Sequence, residues 1–308
     1  MKKYIVKKDD LLSVLGIKSD SALSICVVML TDEQALQMRS FSKYIEEPKI
    51  IETSELADID YEKNRSAWIK FKKKNITGRG IKVAVLDNGI AIGYFPVDFS
   101  VNFTSDGDIG NHGTMTASII RDLAPDCILY AIKVISAVTT EADIIEGLNY
   151  CALNGIHIIN MSFTTTKSTP LDTAFSDLHN LGIVMFASSG NNGSPADILY
   201  PAWHDKVVAV NAVKEDETVA YQNWLIPSGG THGIHIACSG YGSKVVDMNG
   251  SVYGNNGTSF SSPFAAGIAA LTLEEIGVEN IGKLRQILFN KATKNSNTTA
   301  FGFGILNC

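Results

Sequence analysis

Three residue types that cooperate in acyl transfer occur in this chain, two of them at the edge of an apolar run and one just ahead of a candidate helix start. They are Asp87 in "VAVLDNG", His112 in "NHGTMTAS" and Ser259 in "NGTSFSSP". A serine hydroxyl is a weak nucleophile until an imidazole takes its proton. The imidazole in turn needs a carboxylate to fix its tautomer and stabilise its charge. Taken singly, each residue has a plainer reading: a turn or helix-capping aspartate, a structural histidine, a helix-start serine. Only the combination points to chemistry. Ser259 does not lie in a G-x-S-x-G elbow, which argues against an α/β-hydrolase. "DNGIAIG" lacks both G-x-G-x-x-G and a Walker lysine, which argues against a dinucleotide-binding enzyme.

Widely separated residues can meet only if the fold carries them to one place. From residue 79 onward, short apolar runs have the length and β-branched content of buried strands: 81–86, 128–135, 155–161, 182–187 and 206–213. Helical patterns lie between several of them, at Thr114–Asp122, Glu141–Asn154 and Leu171–Leu181. This alternation predicts an α/β fold with a mostly parallel central sheet and helices on both faces. An apolar helix opening around Pro263 would pack on that sheet. Ligands of such sheets bind beyond the carboxyl ends of the strands. The polar loops "DNG" (87–89), "SFTTT" (162–166) and "SSGNNG" (188–193) should therefore share one rim.

The chain of 308 residues is long enough for a large core and a small second unit. Hydrophobic residues make up 45% and charged residues 19%, as in a folded globular protein. A net charge of −6 disfavours nucleic acid as a partner, and "KFKKK" (70–74) reads as a solvated face. The five cysteines are dispersed singly, which suggests free thiols in a reducing compartment. Charged Lys7–Asp10 interrupts any signal-peptide core, and "SALSICVVML" (21–30) is too short to span a bilayer and reads as a strand. The expectation is a cytoplasmic protein without a membrane partner.

The segments "VAVLDNGI", "NHGTMTAS", "APDCILYAIKV", "INMSF", "SSGNNG", "YPAWHDKVVAVNAV" and "NGTSFSSPFAAGIAAL" resemble, in order, the landmarks of the subtilisin-like serine proteases. The resemblance covers roughly residues 66 to 308. It implies a subtilisin-like three-layer fold, with Asp87 as orienting acid, His112 as general base and Ser259 as nucleophile. It also implies Asn191 as the oxyanion donor, Asn192 beside it being read as a turn residue. The Ser259 N–H, at a helix start, would be the second donor. Substrate would bind as an extended strand beside Ser162, Phe163 and Thr164, with Ser189, Gly190 and Leu199 completing the site. Thr164 stands where the family commonly has glycine, and Leu199 would line the floor of the first specificity pocket. Both features suggest restricted specificity.

The chain is short between "SII" and "LAPDC", where many relatives carry a calcium loop, so no strong calcium site and no other cofactor are expected. His232 and His235 have no third ligand nearby and suggest no metal site. Residues 1–56 resemble a propeptide of the family in size and strand–helix–strand pattern. They would act as an intramolecular inhibitor removed near Leu56 and Ala57, after which a charged linker (53–66) leads into a catalytic domain at 57–308. The function implied is a serine endopeptidase, without a signal peptide and so restricted to a dedicated intracellular or peptide-maturation role. The alternative is a catalytically silent scaffold of the same fold that binds a peptide or a partner protease.

Overall fold

The computed structural model describes residues 2–8, 21–31, 34–35, 38, 45–46, 50–51, 71, 73–107, 110–191, 198–214, 233–296 and 298–306. The helical part of the strand–helix–strand pattern expected in residues 1–56 lies largely outside these residues. The linker, the processing point at Leu56 and Ala57, Asn192 and His232 lie wholly outside them.

Four strands precede the main sheet: β1 (Lys2–Lys7), β2 (Ile25–Leu30), β3 (Ile45–Glu46) and β4 (Ile50–Ile51). There follow β5 (Lys82–Asp87), β6 (Phe99–Asn102), β7 (Ile128–Lys133), β8 (Thr139–Thr140), β9 (Ile158–Met161), β10 (Val184–Ser188), β11 (Val207–Val213) and β12 (Ile236–Ser239). A hairpin, β13 (Ser243–Val246) and β14 (Val252–Asn255), leads into the long helix that carries Ser259. The helices that position the site are α1 (Asn111–Leu123), α2 (Glu141–Leu153), α3 (Thr169–Asn180) and α4 (Thr258–Ile276).

Seven strands form one parallel sheet in the order β12-β11-β10-β9-β5-β7-β6. Its central strands are dominated by apolar residues because both faces are covered there, whereas the edge strand β6 is largely exposed. Along β5, Val83 and Val85 point into the core beneath α1 and α4, while Ala84 and Leu86 point into the core beneath α2 and α3. Helix α4 is buried from Thr258 to Leu273, and a helix apolar all round belongs inside a protein. It begins five residues before Pro263, so Ser259 falls in its first turn.

The start and end of each helix follow from local chemistry. Ser168 caps α3 by accepting from Leu171 N–H, and Pro170 occupies its first turn, where a missing N–H costs nothing. Thr140 and Asp143 form a reciprocal capping box on α2. Cys127 and Cys151 are buried thiols, and burial pushes the Cys127 thiol up to about 12. No helix among the described residues is long and apolar enough to cross a membrane.

The first strands pair antiparallel in the order β2-β1-β3 and lie on α2 and α3. Ile5, Leu23 and Ile25 join the core beneath those helices. Ser21 Oγ and Ala22 N–H donate to Asn149 Oδ1 of α2 at 3.0 and 2.7 Å. Ser24 donates to Asp177 Oδ2 of α3 through both its N–H and its hydroxyl, at 2.8 and 2.6 Å. Further along, β4 pairs antiparallel with β8.

Candidate active site

Asp87 is the last residue of β5 and is buried at the carboxyl rim of the sheet. Its Oδ1 accepts from Asn88 N–H at 2.8 Å. Both carboxylate oxygens lie 2.9 Å from His112 Nδ1. Thr116, one helical turn further along α1, reaches Oδ2 at 3.5 Å. His112 can approach this closely because its neighbour has no side chain. A Cβ on Gly113 would meet Gly89 O at 2.2 Å, while Gly113 N–H donates to Asn88 Oδ1 at 2.8 Å. Only glycine lets the start of α1 dock on the end of β5.

Burial of the imidazole disfavours its charged form, but the adjacent Asp87 charge and hydrogen bond outweigh burial. The His112 pKa is raised above the ordinary histidine value. The other ring nitrogen, Nε2, is buried and has no hydrogen-bond partner among the described residues. The ring centroid lies 6.1 Å from that of Phe260, the residue after Ser259.

Ser259 is 2% exposed. Its hydroxyl donates to Ser162 O at 3.3 Å, and Ser162 Oγ donates in return to Ser259 O at 2.8 Å. Ser162 Oγ also accepts from Asn160 Nδ2 at 3.0 Å, and Asn160 Oδ1 accepts from Ser262 Oγ at 2.7 Å. A closed polar network therefore joins the end of β9 to the first turn of α4. Sequence reading singled out Ser162 but not Asn160 or Ser262, because nothing local distinguishes one asparagine in an apolar strand, or one serine among several at a helix start, as a network member.

Asn191 sits beside the same turn. Its Oδ1 accepts from both the N–H and the hydroxyl of Thr258 at 3.0 Å each. With the oxygen engaged, the amide NH2 must point the other way, as a preplaced donor. Gly190 adopts φ +105, and a Cβ there would lie 2.8 Å from Leu199 Cδ1, so Leu199 fills the space beside it. Leu199 N–H donates to Ser189 O at 3.0 Å, and Thr165 N–H donates to Tyr200 O at 2.7 Å. Leu199 thus lies where the Ser189–Gly190 segment meets the Thr164–Thr165 segment. Phe163 turns its ring into the core, leaving its backbone to the rim. His235 accepts from Ala209 N–H through Nδ1 and stacks on Phe289, a structural role. Among the described residues no three His, Cys, Asp or Glu side chains are placed to hold a metal.

The family model that matches this chain is that of the subtilase family, over residues 78–305. The chain belongs to the subtilase family. Alkaline elastase YaB of Bacillus sp. (strain YaB) is 30% identical over 298 residues, covering 90% of this subtilase and 75% of the relative. Subtilisin DY of Bacillus licheniformis is 31% identical over 263 residues, covering 77% and 93%. Among solved structures, the self-cleaved protease domain of PatA superposes with a TM-score of 0.65 at 26% identity, covering 74% of this chain and 94% of that one. The prenylagaramide maturation protease PagA, at 24% identity and a TM-score of 0.67, shares the fold. The three-layer architecture is that of a subtilisin-like peptidase.

Proposed function

We propose that this subtilase is a serine endopeptidase that cleaves peptide bonds through an acyl-enzyme on Ser259. The observation that carries the reading is the Asp87–His112 pair at 2.9 Å, with His112 Nε2 buried and unpartnered beside the turn that holds Ser259. Catalytic hydrogen bonds are often loose in the absence of substrate and tighten when it binds. In the reaction His112 Nε2 takes the Ser259 proton as Oγ attacks the scissile carbonyl, and Asp87 steadies the resulting imidazolium. His112 then gives the proton to the leaving amine. Water, activated by the same nitrogen, releases the acyl group.

The negative oxygen of the tetrahedral intermediate would be met by the Asn191 amide and the Ser259 N–H at the start of α4. Asn191→Ala is expected to lower kcat by about 10²–10³ with little change in KM, the loss measured for the equivalent donor in subtilisin. Steady-state kinetics on a chromogenic peptide check this. Leu199 fills the space beside Gly190, which favours a small or medium side chain before the scissile bond.

Residues 1–56 act in this proposal as a built-in inhibitor of the catalytic unit at 57–308. Support comes from the Ser21 and Ser24 contacts to α2 and α3, and from β4 lying as an extra strand against β8. A peptide substrate would take that strand's place. PatA is described as a patellamide maturation protease with a self-cleaved protease domain, and a dedicated peptide-maturation role is the parallel reading here.

Intact-mass spectrometry after treatment with a fluorophosphonate probe tests the reading. One adduct on the wild type and none on Ser259→Ala is the expected result. Loss of a segment ending near Leu56, from the wild type alone, would add self-processing. A processed, folded wild type with no adduct would turn the reading to a silent peptide-binding scaffold.

A further inference from the structure

Helix α1 carries His112 in its first turn and presents a stripe of acceptors to the β13–β14 hairpin. Asn111, Met115 and Ser118 are spaced i, i+4 and i+7, so they share one face of the helix. Each receives a hydrogen bond from the hairpin. Asn111 Oδ1 accepts from Met248 N–H at 2.8 Å, and Ser118 Oγ accepts from Val246 N–H at 2.9 Å. Between them, Met115 Sδ accepts from Tyr253 Oη at 3.2 Å and from Asn255 Nδ2 at 3.5 Å. Met115 is 6% exposed and Asn255 3%, so water does not readily take the place of the sulfur.

The hairpin is stiff between these contacts. Asp247 Oδ1 accepts from Asn249 N–H at 2.9 Å and from Ser251 N–H at 2.8 Å, which closes its turn. Its two strands pair in register from Ser243 with Asn255 to Val246 with Val252. The hairpin also runs straight into the turn of Ser259. Asn255 ends β14, and its Oδ1 accepts from Asn256 N–H at 2.9 Å. With that oxygen engaged, the amide NH2 faces Met115. One side chain thus ties the sulfur, a helical turn beyond His112, to the backbone three residues before Ser259. The Ser162 and Asn191 contacts hold the Ser259 turn to the sheet rim, and the hairpin gives it a hydrogen-bonded link to α1.

We propose that Met115 is a positioning residue. By holding Tyr253 and Asn255 it fixes the β13–β14 hairpin on α1, and through the hairpin it sets Ser259 Oγ relative to His112 Nε2. The proposal rests on the serine endopeptidase reading. Met115 takes no part in the bond changes and acts through the hairpin, so its effect falls on kcat and not on KM.

The test measures kcat and KM on a chromogenic peptide for Met115→Leu, Tyr253→Phe and the double variant, with rates normalised to fluorophosphonate-titrated sites so that unfolded protein does not count. Met115→Leu keeps the bulk of the side chain but deprives two donors of their acceptor. Small misplacements of reacting groups are costly, so kcat per site should fall about tenfold. KM should stay within about twofold, as for an interaction that matters only in the transition state. Tyr253→Phe, the milder change, removes one donor and should lower kcat about threefold. The double variant should fall no further than Met115→Leu, because both changes act through one contact. The His112 limb of the pH profile should stay in place in all three, since Asp87 is untouched. A purely structural role would reduce the number of titrated sites and leave kcat per site unchanged, and that result overturns the proposal. So would losses that multiply in the double variant, or a fall in kcat/KM carried by KM. A wild type that takes no label would overturn the peptidase reading itself and this inference with it.

Discussion

Ser259→Ala and His112→Ala are each expected to lower kcat by about 10⁶, and the double variant by no more than either alone. The magnitude is the one measured for subtilisin; the argument for this chain is geometric. Without His112, the Ser259 hydroxyl keeps only Ser162 O as a partner, and a carbonyl cannot hold its proton as a base. Without Ser259, His112 Nε2 has nothing to deprotonate but water. The two therefore act as one unit, and breaking either half removes the whole path. What survives should be the part of the rate that binding and the Asn191 amide supply. Single-turnover kinetics on the two single variants and the double variant check this. Losses that multiplied in the double variant would mean that the residues act independently.

The strands that carry the site were legible in the sequence because the sheet is buried on both faces, which turns each into a continuous apolar run. β6 and β12 were not foreseen. β6 is a four-residue edge strand, "FSVN", exposed over three of its four residues, so it lacks the apolar content of its neighbours. β12, "IACS", is buried but too short to show a period. β1 begins "KKYIVK", and its flanking lysines disguise three buried residues, Tyr4, Ile5 and Val6. Helix α1 starts at Asn111 and not at Thr114, because the Gly113 contact with Gly89 brings His112 into its first turn.

Asp87, His112, Ser259 and Asn191 could be picked out because their residue types and their neighbours form ordered, quotable blocks. The supporting polar groups could not. Asn160 and Ser262 acquire meaning only from partners brought in by the fold, and no local pattern marks a single asparagine or serine as part of a network. The groups proposed to react thus stand out in sequence, while the polar residues around them show only in three dimensions.

Asp87→Asn separates two roles that the carboxylate plays at once. The wild-type kcat/KM should rise with pH along a limb set by His112, because only the neutral imidazole can accept a proton. That limb should lie above the ordinary histidine value of about 6.5, since Asp87 raises the His112 pKa against the opposing effect of burial. Asparagine removes the raising charge and leaves burial, so the limb should move to lower pH. A larger fraction of His112 would then be neutral at pH 7, yet the rate should still fall about 10⁴-fold, as measured for the same change in a serine protease. The reason is the tautomer. Asn88 N–H at 2.8 Å requires an acceptor at the Oδ1 position, which fixes the amide oxygen there and turns the NH2 toward His112 Nδ1. Nδ1 must then accept, which places the proton on Nε2, where it blocks attack by Ser259. A pH profile of Asp87→Asn decides between the two roles. A shifted limb with a low plateau at every pH shows that Asp87 works by holding the tautomer, whereas full recovery above the shifted limb would show that its charge alone mattered.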